Sequence, residues 1–194
     1  MLAVLLLAGS TFIYLVFRSD TLIGFNLIDR LGLSAPLYGI REAFSNITLP
    51  AFYVYSLPDG LWLLSYMLLI DSILPYHPTK PIWILALPAN AIASEIAQYW
   101  MILPGQYDVR DLVCYLVPTV LYISLKRMKY TTVHFFYDRV TVAPLILVSY
   151  LFIAGCSVEC LNTPFVITCA VFASVLMALC YNISRKTLPS GTRG

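Results

Sequence analysis

Charge is what this chain has least of. Of its 194 residues, only 11% are Asp, Glu, Lys or Arg, against about 25% in ordinary soluble domains. So few charges exclude disorder, which needs a polar and highly charged chain. Twelve Lys and Arg against ten Asp and Glu leave a net charge of +2. That is too little to recruit a nucleic acid, which needs a basic face. Histidine is almost absent: His77 and His134 stand far apart, and both read as solvated or interfacial side chains rather than ligands. None of the five cysteines (Cys114, Cys156, Cys160, Cys169 and Cys180) forms a Cys-x-x-Cys pair, which removes the usual zinc and redox signatures. The chain also has no Gly-x-Ser-x-Gly elbow, Gly-rich phosphate loop or internal repeat, so the common nucleophile and nucleotide motifs are missing too.

Apolar residues fill the space. They make up 60% of the chain, and mean hydropathy is +0.81. Six apolar runs stand out: Leu2–Phe17, Leu61–Leu74, Ile82–Leu103, Leu112–Leu125, Val140–Ser157 and Phe165–Ile183. A spanning helix needs about 17–25 such residues, and the long runs exclude a barrel of short alternating strands. The expected fold is therefore all-α, a polytopic transmembrane helical bundle of about six spans forming one integral domain over residues 1–194. The first run continues past Ala8-Gly9-Ser10 and has no basic residue before it, so it reads as a retained helix rather than a cleaved leader. Lys80, Lys126, Arg127, Lys129, Arg139, Arg185, Lys186 and Arg193 fall on one side of such a bundle, against Arg18, Arg30, Arg41 and Arg110 on the other. The basic side is expected to be cytoplasmic, giving a multi-pass inner-membrane protein with both termini inside. Between the first two runs, Gly24, Leu27, Ile28 and Leu31 follow helical spacing and suggest a short amphipathic surface helix. Phe52–Leu57 is too short to cross and reads as a re-entrant or interfacial piece. Pro88, Pro118 and Pro144 lie inside runs, where kinks are expected. Cys156 and Cys160 flank one helix end, where an oxidising compartment could join them; the other thiols read as buried and inert.

The chemistry is concentrated in few residues. Glu95 lies within an apolar run, and a buried ionisable group of that kind is a functional candidate by default. Gln98, three positions on, shares its face. The following turn, Pro104-Gly105-Gln106-Tyr107-Asp108-Val109-Arg110-Asp111, opens the next helix. Asp108 suits the N-cap, with Asp111 at the reciprocal capping-box position. Asp59, in Leu57-Pro58-Asp59-Gly60-Leu61-Trp62, stands at another helix mouth, where capping would also explain it. If these helices are neighbours, Asp59, Glu95, Asp108 and Asp111 converge. Such a pocket could bind a divalent metal through oxygens or supply an acid–base pair, with Glu95 and Asp111 the catalytic candidates. With Arg110 or Arg41 it could also hold a lipid phosphate. Asp71, near a helix end, could pair with Lys80 and has no assigned role. The alternative for every one of these residues is helix packing through interhelical hydrogen bonds.

Taken together, Glu95-x-x-Gln98, Pro104-Gly105, Asp108-x-x-Asp111 and the upstream Leu57-Pro58-Asp59-Gly60-Leu61-Trp62 resemble the signature of VanZ-like membrane proteins. The similarity covers roughly residues 56–125, leaving a basic inner loop at 126–139 and a final helix pair at 140–184. There are two departures from the family pattern: Gln106 stands where the family usually has Arg, and Cys114 and Tyr115 stand near where Asn and Gly are expected. If that Arg binds an anion, Arg110 is the obvious substitute. The family takes its name from a protein associated with teicoplanin resistance, and most members have no assigned activity. The resemblance implies a cell-envelope factor that binds a lipid or envelope ligand through Asp59, Glu95, Gln98, Asp108, Arg110 and Asp111. Membrane lipids, and an envelope lipid-linked ligand, are the implied partners. Two alternatives stay open: an enzyme acting on a lipid-linked substrate with Glu95 as acid or base, and an assembly subunit without chemistry.

Overall fold

The computed structural model describes residues 2–74, 78, 80–103, 105–127 and 146–151. Cys156, Cys160, Cys169, Cys180, His77, His134 and Pro144 lie outside the described residues. So do the basic loop from Met128 onward, the sixth apolar run and most of the fifth. Every element among the described residues is helical: α1 Leu2–Phe17, α2 Ile23–Arg30, α3 Ser34–Ala43, α4 Ala51–Tyr55, α5 Leu57–Ile73, α6 Lys80–Tyr99 and α7 Val109–Arg127, with a further helical stretch at 146–151.

Local chemistry sets the helix ends. Arg18-Ser19-Asp20 follows α1, where the Ser19 hydroxyl bonds Thr21 rather than continuing the helix. Pro58 sits in the first turn of α5, where a missing N–H costs nothing. Both α6 and α7 run on through an interior proline, Pro88 and Pro118. The end of α6 closes with Met101 N–H bonded to Gln98 O and Ile102 N–H bonded to Ala97 O. This is a Schellman closure, whose turning residue is usually glycine; here it is Met101 at φ 57°.

α5 is the hub, packed against α1, α4, α6 and α7. Ser10 Oγ donates to Pro58 O at 2.7 Å, while Ala3, Leu6 and Leu7 pack on the core built around Leu63–Leu74, so α1 runs antiparallel to α5. At the far end, Asp71 of α5 meets Lys80, the first residue of α6, and Lys126, near the end of α7, the latter at 2.6 Å. α6 is therefore antiparallel to α5 and α7 parallel to it. The core holds the fully buried Leu63, Tyr66, Met67 and Ile70, with Trp83, Leu87, Leu147 and Tyr150 around them. Each such aliphatic side chain contributes about 1.5–3 kcal/mol. Two of its hydroxyls are paired across helices: Tyr66 donates to Trp83 O, and Ser65 bonds the Tyr150 hydroxyl. A smaller cluster of Leu22, Phe25 and Leu37, with Tyr14, Leu15 and Ile28, seats α2 and α3 against the end of α1. The expected short amphipathic helix is α2, with Leu31 exposed just past its end, and a second short helix, α3, follows it.

The structure corrects two expectations. The helices are where the apolar runs are, but none among the described residues is long and apolar enough to cross a membrane. The polytopic transmembrane bundle of about six spans is therefore replaced, among the described residues, by an all-helical assembly without a spanning helix. The multi-pass inner-membrane localisation with both termini cytoplasmic, which rested on those spans, is overturned with it. The physical reason differs by helix. α1 and α5 have 16 and 17 residues, or roughly 24 and 26 Å against about 30 Å of hydrocarbon. α6 has the length, with 20 residues, but its sequence includes Lys80, Asn90, Ser94, Glu95 and Gln98. α7 carries Arg110 and Asp111 at one end and Lys126 and Arg127 at the other. Phe52–Leu57, the expected re-entrant piece, is the short α4 leading directly into α5. Apolar side chains stay exposed on the outer faces, including Val113, Leu116, Val117, Val120 and Leu121 of α7 and Val4 and Leu5 of α1.

Candidate functional site

At the end of the bundle opposite Asp71, the start of α5, the end of α6 and the start of α7 meet. Gly60 makes the meeting close. A Cβ on it would lie 2.8 Å from the Cys114 carbonyl oxygen, so only glycine lets α5 and α7 approach this tightly. The contact sets Asp59, in the first turn of α5, beside the acids of α7. Asp59 does not cap its helix. Ser56 occupies that position without a capping bond, and its hydroxyl bonds the Asp111 carboxyl instead.

α7 is capped as its sequence suggests, but only in part. The Asp108 carboxylate accepts the Arg110 N–H at 2.8 Å. In a closed capping box, Asp111 would accept the Asp108 N–H; here that N–H donates to the Glu95 carboxylate of α6. Glu95 thus serves α7 across the helix interface, with its negative charge placed where a helix N-terminus favours it. Asp111, released from capping, turns to Ser56.

The acids sense one another. Burial pushes the Glu95 carboxyl up to about 7; the Asp108 N–H opposes this, and the charges of Asp111 and Asp108 add to it. Burial also pushes Asp59 up to about 7, with Arg18 pulling it down and Asp111 and Glu95 pushing it further up. Asp111 is raised by burial and by Asp108, against the Ser56 hydroxyl and Arg18. Tyr115, one turn after Asp111, has its hydroxyl raised by burial and then by Asp59, Asp111 and Glu95. Glu95 is only 5% exposed, and its Oε2 has no hydrogen-bond partner; Asp111 Oδ1 is likewise buried and unpartnered.

The four acids proposed from sequence, Asp59, Glu95, Asp108 and Asp111, therefore lie near enough at this helix junction to act on one another electrostatically. Gln98 and Arg110 do not join it on the same terms. The Gln98 amide lies against Gly105, whose φ of 136° and missing Cβ leave room for it. The Arg110 residue is exposed, and its backbone N–H alone contributes to the cap. The cation facing the pocket is Arg18, at the end of α1, stacked 4.3 Å over Tyr14 and 5.2 Å from Tyr55. Arg41 supports it indirectly by donating to the Arg18 carbonyl. Sequence reasoning missed Arg18, Ser56 and Tyr115. Only Tyr115 carried a local signal, its four-residue spacing from Asp111.

A divalent metal finds no ready site: among the described residues, no three His, Cys, Asp or Glu side chains are grouped to hold one ion. Thiol chemistry is disfavoured at Cys114, which burial and then the charges of Asp111, Asp59 and Asp108 push up to about 11. Outside the acids lies an apolar hollow of about 190 Å³ lined by Ile96, Tyr99, Trp100, Tyr107 and Leu112. The Tyr99 and Tyr107 rings meet edge to face there, 5.2 Å apart. What the junction offers chemically is two carboxyls, Glu95 and Asp59, that stand near 7 and so lie between their neutral and charged forms at neutral pH. Comparison with protein-family models, with curated proteins and with solved structures returns no match.

Proposed function

We propose that this chain is a ligand-binding protein of the VanZ-like kind, a factor directed at the cell envelope whose acidic pocket holds a lipid-linked or other envelope ligand. One observation carries the reading. Glu95 is buried, with an unpartnered oxygen, among three further carboxyls. A buried acceptor without a partner costs about 1–3 kcal/mol, and a set of like charges adds to that cost. An arrangement this unfavourable is sensible when an occupant relieves it. The exposed apolar faces of α1 and α7 suit contact with lipid as a partner.

The test is survival under glycopeptide and detergent stress in a deletion strain carrying wild type, Glu95→Gln or Asp111→Asn at equal protein levels. Rescue by wild type and not by the variants supports the reading. Equal rescue by all three means the acids only pack helices. A second reading, an enzyme on a lipid-linked substrate with Glu95 as general acid or base, draws on the Glu95 carboxyl standing at about 7, where proton transfer at neutral pH is efficient. Glu95→Gln would then abolish product formation while substrate still binds.

A further inference from the structure

The acidic pocket and the apolar hollow are built on the same three points of the chain. Ile96 follows Glu95, Tyr107 precedes Asp108, and Leu112 follows Asp111; one member of each pair lines the hollow and the other is an acid of the pocket. Successive helical residues point about 100° apart, so Glu95 and Ile96 on α6, and Asp111 and Leu112 on α7, face adjacent sides of the same helix ends, with Tyr107 and Asp108 in the turn just before α7. The hollow, at about 190 Å³, is comparable with cavities of about 150 Å³ that accept benzene, and so has room for one aromatic ring or a branched alkyl group. Tyr99, Trp100 and Tyr107 give it aromatic walls, and Trp100 is 65% exposed, an uncommon position for so large an apolar surface unless something covers it. Charge complementarity selects the other half of the occupant. Asp59 and Asp111 feel one guanidinium, Arg18, while Glu95 is surrounded by the carboxyls of Asp111 and Asp108, and its buried Oε2 is unpartnered.

We propose that the double site takes an amphipathic cation, an amine whose ammonium enters among Glu95, Asp59 and Asp111 while its aromatic ring or branched alkyl group fills the hollow at Ile96, Trp100 and Tyr107. This rests on the ligand-binding reading above and names the chemical class of its ligand. The neutral part is held by aromatic stacking and burial, the charged part by the carboxyls; neither half alone accounts for the juxtaposition.

Isothermal titration of the full chain with three probes tests it: 3-phenylpropylamine, its neutral counterpart 3-phenylpropan-1-ol, and ringless n-propylamine. The phenyl amine is expected to bind at least tenfold more tightly than either of the others. Trp100→Ala, at an exposed position, should lower its affinity at least fivefold without changing n-propylamine. Glu95→Gln should weaken both amines, with Asp59→Asn as a second acid variant should the first melt early. The proposal is overturned if the alcohol binds as tightly as the amine, or if Trp100→Ala changes nothing. n-Propylamine binding as tightly as the phenyl amine and losing affinity in Glu95→Gln overturns the amphipathic inference while leaving the acidic binding pocket intact. Failure of every amine also overturns the inference, and the survival assay then decides the broader reading separately.

Discussion

Replacing Glu95 by Gln should stabilise the protein above neutral pH and change it little near pH 5. In the folded chain the Glu95 carboxyl titrates at about 7, against an ordinary 4.5. Between these values the folded state keeps a proton that the unfolded chain has released, so stability falls as pH rises through this window and levels off above it. Below 4.5 both states are protonated and the neutral acid's contribution is fully present. At 1.36 kcal/mol for each pKa unit, the loss approaches about 3 kcal/mol by pH 8.5. The groups acting on or near Glu95 are Asp111 of α7, Asp108 just before it, Asp59 of α5 and Tyr115, with Arg18 acting on Asp59. Glutamine keeps an acceptor for the Asp108 N–H, never ionises, and presents donors to the neighbouring carboxylates. Allowing for imperfect amide geometry, the gain at pH 8.5 is about 2 kcal/mol, or roughly 4–8 °C in Tm for a chain this long. Thermal melts followed by circular dichroism at pH 5 and pH 8.5 measure it. An equal shift at both values, or destabilisation at pH 8.5, refutes the account of Glu95 as a desolvated acid. A variant that is more stable and yet fails to rescue envelope survival would show a site that trades stability for function.

Three further outcomes follow from local geometry. Gly60→Ala places a methyl group 2.8 Å from the Cys114 carbonyl; separating α5 from α7 should cost about 1–3 kcal/mol, read as a lower urea midpoint. Met101→Gly relieves the left-handed φ of 57° at a side chain that is 92% exposed, and should raise stability by about 0.5–1 kcal/mol. Asp71→Asn leaves Lys80 and Lys126 without their shared carboxylate and should cost about 3–5 kcal/mol. Burial favours the neutral form of Asp71, but the two lysines together hold its carboxyl below the ordinary 3.8. Wild-type stability should therefore fall on acidification below that value, while the variant shows no such loss in an acid titration.

The sequence makes the helices visible but not what surrounds them. α1 has the same bounds as the first apolar run, and α5, α6 and α7 begin and end within a few residues of theirs. Apolar content alone does not tell a helix sheathed by other helices from one sheathed by lipid. α5 is the clearest case: Leu63, Tyr66, Met67 and Ile70 are enclosed by α1, α6 and α7. The acids were legible because each stands at or near a helix end that short loops force together. Their partners were not. The Asp108 N–H choosing Glu95 over Asp111, and Arg18 rather than Arg110 facing the pocket, depend on how α1 and α6 lie across α5, which no local spacing encodes.

Asp71 also has a meaning for the whole bundle. It ties the ends of three helices together from a fully buried position, while the opposite end gathers acids that oppose one another. The two ends are therefore unequal in cohesion, and the acidic end is where local opening costs least. A cation arriving there removes repulsion and adds contacts at the point of easiest fraying, so occupancy and rigidity rise together. Were the proposed cation to bind there, the molecule would act as a clasp: riveted at Asp71 and fastened at the other end by its ligand.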